Sequence, residues 1–216
     1  TAEARETTTM IDLPMPDGSF VRFRIVESPI SAVAKTRQPD AGQQIEFQSY
    51  SGQAIDDPTV TMRLSWAANG LHAIILSASG AFFIEPATAG DTVNHIAYAM
   101  KDAPDAGTFS CGVSETARVA VTKSPTISQQ GQQQTISNGA ELRVFRTAVA
   151  ATAMYVQQNG GTAAAALVTL KSSINAVNAI MERELSLRLQ LIPDADELRI
   201  FSSNVSDYTD SDTDKM

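Results

Sequence analysis

Residues 60–86 read VTMRLSWAANGLHAIILSASGAFFIEP. Three runs, 60–66, 71–77 and 81–86, are rich in β-branched, aromatic and aliphatic residues. Two short breaks separate them, Ala67-Ala68-Asn69-Gly70 and Ala78-Ser79-Gly80. Glycine at the end of a short break supplies the positive φ that a tight hairpin turn needs. The pattern predicts three consecutive antiparallel strands. The same pattern extends outward. Upstream, Pro16-Asp17-Gly18-Ser19 is a turn, followed by an alternating run over 19–28. That run puts Phe20, Arg22, Arg24 and Val26 on one face and Val21, Phe23 and Ile25 on the other. Residues 44–50 alternate too, and 91–100 read as one more strand. Short strands at regular spacing with turn signals describe an antiparallel β domain, expected over residues 10–118 after a polar N-terminus at 1–9.

Residues 119–140 lose the period and are dominated by Gln, Ser, Thr and Gly. They read as a linker open to proteolysis. Beyond it, 141–206 changes to an α/β pattern. Residues 141–152 read as a strand running into a short helix, and Thr162 is placed as an N-cap. Leu167, Leu170, Ile174, Val177 and Ile180 or Met181 recur at helical spacing over 163–183, with Lys171, Asn175, Asn178 and Glu182 expected to face water. Leu alternates with Ser, Arg and Gln over 185–192, and 197–203 reads as a further strand. The acidic tail is 207–216. The expected fold class is therefore α+β: an antiparallel β-rich N-terminal domain, a flexible linker, then the start of an α/β domain in the order strand-helix-strand-strand.

Composition narrows function. The 216 residues carry 24 acidic and 16 basic side chains, a formal charge of −8. A nucleic-acid partner, which requires a basic face, is not expected. No run reaches the roughly 18 consecutive apolar residues of a membrane-spanning segment. No secretory leader is recognisable at Thr1, and the Thr, Ser, Gln and Ala content is compatible with a secreted bacterial protein. One cysteine rules out an internal disulfide.

Few motifs carry chemistry. Cys111, in the stretch TFSCGV (108–113), reads as a buried small hydrophobe, a reactive thiol or a metal ligand. His72 and His95 are formal partners for a cysteine nucleophile but sit in strands, where a hydrogen-bonded structural histidine is the ordinary role. No CxxC, HxH or HExxH is present. Asp210, Asp212 and Asp214 alternate as an acidic metal loop does, without the glycine and bidentate glutamate such a loop needs. Asp56 and Asp57 precede a proline and read as turn residues, and Glu182 and Glu184 as exposed helix-end charges.

Three phrases, LPMPDGSFVRFRIVESPI (13–30), YSGQAIDDPTVTMRLSWAANGLHAIILSASGAFFIEP (50–86) and TFSCGV, resemble the propeptide region of bacterial secreted reprolysin-like zinc metalloproteases, which are metzincins. Residues 142–203 resemble the opening of the catalytic domain of the same family. The resemblance implies a secreted zinc peptide hydrolase precursor, with Zn2+ in the full-length protease and none held stoichiometrically by this chain. It implies that Cys111 serves as an inhibitory zinc ligand in the zymogen, against a zinc held by residues outside the chain. No catalytic or cofactor-binding residue is expected within it. The implied partners are the remainder of the catalytic domain and the protein substrates of the mature enzyme. The competing reading is a non-enzymatic extracellular assembly or adhesin subunit on the same scaffold, which is expected to form homo-oligomers. A third is a stand-alone inhibitor directing Cys111 at a zinc in trans.

Overall fold

A computed structural model describes residues 9–31, 46–103, 141–193 and 201. Within the first two stretches lie seven strands: β1 (Thr9–Pro14), β2 (Phe20–Glu27), β3 (Phe47–Ala54), β4 (Thr61–Ala67), β5 (Gly70–Ser77), β6 (Gly80–Pro86) and β7 (His95–Ala99). They form one antiparallel sheet in strict sequence order, β1 to β7. A short 3-10 turn, Met100–Asp102, follows. The three strands expected from residues 60–86 are β4, β5 and β6, and the 91–100 run supplies β7.

The turns explain the order. Gly18, Gly70 and Gly80 all have positive φ, of 83°, 105° and 128°. Gly70 is doubly constrained, since a Cβ there would lie 2.7 Å from Pro86 Cγ and 2.8 Å from the Asp91 carbonyl oxygen. The sheet curls so that one face encloses a core of Leu13, Phe23, Ile25, Ala54, Met62, Leu64, Ala73, Ile75 and Ile84. Phe23 and Ile75 are fully buried there. The alternation read from residues 19–28 holds: Phe23 and Ile25 face inward, while Phe20 and Val26 are exposed.

The C-terminal segment supplies β8 (Arg143–Thr147), α1 (Ala153–Gln158), α2 (Ala163–Leu185) and β9 (Leu187–Leu191). Strands β8 and β9 pair in parallel, Arg143 opposite Leu187 through Thr147 opposite Leu191. Thr162 caps α2 as expected, its side-chain oxygen accepting from the Ala165 amide at 3.2 Å. The helix runs two residues beyond the predicted 183. It stops at Ser186, which takes a left-handed conformation with φ of 52° and turns the chain into β9. Of the strand expected at 197–203, only Phe201 is described; it forms a parallel bridge with Ala151 and is buried beside Leu167 and Leu170. With its antiparallel sheet and few helices the fold is α+β.

Helix α2 does not keep to its own segment. It lies across the outer face of the curled sheet, over β4 and β5, and Ala179 shares a small core with Ile74 and Leu76. Strand β9 meets the chain just beyond β2, the Leu191 amide donating to the Ile30 carbonyl at 2.9 Å.

Candidate functional site

The seam between α2 and the sheet is polar, and among the described residues it holds the buried charged side chains Arg63 and Lys171. On β4, inward-facing Met62 and Leu64 alternate with Arg63 and Ser65, which point at α2 and are only 2% and 1% exposed. The Arg63 guanidinium donates to Ser28 Oγ at 2.8 Å, to Asn175 Oδ1 at 3.4 Å and to Glu182 Oε1. Arg188 of β9 donates to that same Glu182 oxygen. Burial pulls the Arg63 pKa down and the Glu182 contact pushes it back; a guanidinium stays charged regardless. Ser65 Oγ donates to Ser172 Oγ at 3.2 Å. The Lys171 ammonium stands 4.8 Å over the centre of the Phe47 ring, a cation–π distance.

The orientation expected for α2 holds in its first half, where Leu167 and Leu170 are buried, and fails elsewhere. Lys171, Asn175 and Asn178 are buried, whereas Val177 and Ile180 are exposed. Glu182 is an ion-pair centre rather than a free surface charge. The physical reason lies on the sheet. Its outer face presents Ser28, Arg63, Ser65 and His72, and buried polar groups need polar partners. Asn178 illustrates the demand. Its amide nitrogen donates to the Leu189 carbonyl and its oxygen accepts from the Leu189 amide, both at 2.8 Å. One side chain thus does for β9 what a neighbouring strand would do. By length and mean hydropathy α2 is also long and apolar enough to cross a membrane, but here these polar groups fix it to protein.

A cleft of about 230 Å³ remains in the seam, lined by Arg63, Ser65, His72 and Glu85 of the sheet and by Ser172 and Asn175 of α2, among others. His72 Nε2 is buried in it without a hydrogen-bond partner. Burial holds the His72 pKa below its ordinary value, against opposing pulls from Glu85 and a backbone hydrogen bond with Asn69. Glu85 is itself held by the Tyr98 hydroxyl, which donates to Oε2 at 2.7 Å. Desolvation and this bond push the Tyr98 phenol up to about 12.

His95 is the hydrogen-bonded structural histidine expected from its strand, its Nε2 accepting from the Leu71 amide at 3.1 Å. Asp57 is a turn residue, as expected. It accepts from the Thr59 hydroxyl and amide at 2.6 and 2.9 Å, which lowers its pKa. Glu184 is more than half exposed and lies beside Arg183. Cys111, the 119–140 stretch and Asp210, Asp212 and Asp214 lie outside the described residues. Among the described residues no three His, Cys, Asp or Glu side chains are grouped to hold a metal ion. What residue-by-residue reading missed is the seam: Arg63, Ser65, Asn175 and Asn178. One signal was available. The polar face of α2 is built from short Asn and Ser beside Lys171 and Glu182, which suits pairing with a surface better than solvation.

Residues 141–216 match the family model described as metallo-peptidase family M12B, reprolysin-like. The matched segment is the last third of the chain and contains α2 and its seam residues. That segment is similar to reprolysin-like metallopeptidases, and metallopeptidases of that family are zinc-dependent. No curated protein and no solved structure matches the chain.

Proposed function

We propose that the seven-stranded sheet is a pro-region that folds and holds the opening segment of a secreted zinc metalloendopeptidase, keeping the enzyme latent. The observation that carries this is the docking of α2, from the segment matching the reprolysin-like family, onto the sheet through the pair of buried Arg63 with part-buried Glu182. The segment needs such a support. Among the described residues β8 and β9 make a two-stranded parallel sheet, too small to stabilise a fold without a further packing surface. The sheet supplies that surface through Arg63, Ser65, Ile74 and Leu76.

In this reading the zinc is held by residues outside this chain, as the family likeness implies. Cys111 is assigned the role of thiolate that silences the metal before processing. A zinc site with an open coordination position accepts such a ligand, and proximity to the metal holds the thiol deprotonated. The test uses the zinc-loaded protease that carries this chain, assayed with a peptide substrate before processing. Cys111→Ala and Arg63→Ala are each expected to raise that activity. If both variants stay as inactive as the parent, the latency role is lost.

A further inference from the structure

We propose that His72 makes the docking of α2 on the sheet sensitive to acid, so that the seam loosens as the imidazole takes up a proton. His72 stands on the sheet face that α2 covers, its Nε2 is buried and lacks an acceptor, and it opens onto a cleft between the two elements. A neutral imidazole tolerates this, because Nε2 is then a bare acceptor. A protonated one has a second N–H to satisfy and a charge to bury.

The surroundings decide whether that charge finds help. Arg63 on β4 is a fixed positive charge lining the same cleft. His95 on β7 also opposes a second positive charge, while Glu85 on β6 attracts one. The Glu85 carboxylate already accepts from Tyr98. From α2 the cleft receives Thr169, Ser172, Ser173 and Asn175, none of them ionisable; of its four charged residues, Lys171 and Glu182 are engaged with Phe47 and with Arg63 and Arg188, and Arg183 and Glu184 pair with each other outside the cleft lining. Burial prevails, and the His72 pKa lies below its usual value. The sign follows. Above the ordinary histidine pKa of about 6.5, His72 is neutral whether α2 is docked or not. Below it the undocked state binds the proton more readily, so docking weakens as pH falls toward the depressed docked-state pKa.

Use of this response as a release trigger rests on the pro-region role proposed above; the response itself does not. Hydrogen exchange of α2 amides in the full chain, corrected for intrinsic pH dependence, is compared between about pH 7.5 and about pH 5. Opening of α2 is expected to become several-fold more frequent at the lower pH, with a ceiling of about tenfold per pH unit below 6.5. His72→Gln is expected to flatten that dependence. An identical pH dependence in parent and variant overturns the proposal. Should His72→Gln not fold, the His72 imidazole is titrated by NMR in the parent chain, and a pKa at or above about 6.5 overturns it as well. An acid-dependent α2 in a chain whose Cys111→Ala and Arg63→Ala proteases stay latent keeps the histidine device and removes the pro-region role.

Discussion

The two faces of the curled sheet solve different problems. The inner face is closed by Phe23, Leu64, Ile75 and their apolar neighbours, all contributed by the sheet itself. The outer face carries Arg63, Ser65 and His72 and is completed by a helix from a distant part of the chain. Apolar packing is non-directional and rewards burial against any suitably shaped neighbour. A buried guanidinium is exacting, because only a correctly placed carboxylate and its hydrogen-bond partners offset the loss of water. The inner face therefore makes the sheet, and the outer face selects what docks on it.

Three substitutions put that contrast at risk, from the largest effect to the smallest. Phe23→Ala empties a fully buried site in the inner core and is expected to cost about 4 kcal/mol in denaturant unfolding. Loss of under about 1 kcal/mol would mean that the inner face is not the main source of stability. Glu182→Gln leaves Arg63 buried without its carboxylate, with an expected cost of about 3 kcal/mol. The sharper form is the double change Arg63→Met with Glu182→Leu, which removes both charges and is expected to restore stability to within about 1 kcal/mol of the parent. A cost that simply adds from the two single variants would show that the pair does not act as a unit. Asn178→Ala removes both hydrogen bonds to Leu189. It is expected to cost about 2 kcal/mol and to raise hydrogen exchange in β9 while leaving β1 to β7 protected.

The same contrast explains what the sequence disclosed. Strands β4 to β6 are legible because alternation and turn glycines are local signals, and the positive φ of Gly70 and Gly80 depends on nothing remote. The Thr162 cap is legible for the same reason, since its partner is three residues away. The face that α2 buries is not. Helical periodicity shows which residues lie together on a face. It does not show that a second face is covered too: Leu167 and Leu170 are buried as their period suggests, and Lys171 and Asn178 are buried as well. The decision was made by Arg63, 119 residues from Glu182. Of the candidate site, His72 is conspicuous by its strand and Asn175 by its place on the polar helix face, yet Ser65 has no local mark at all.

The strict β1-to-β7 order has a consequence for synthesis. Each strand pairs with the one made just before it, so the sheet forms by short-range closures, which are the rapid ones. Chains emerge from the ribosome N-terminus first, and their units fold in that order. The receiving surface, with Arg63 already in place, can thus be complete before Glu182 has been translated. The helix is then born facing a finished template, and its exposure as an unsupported amphipathic segment is kept brief.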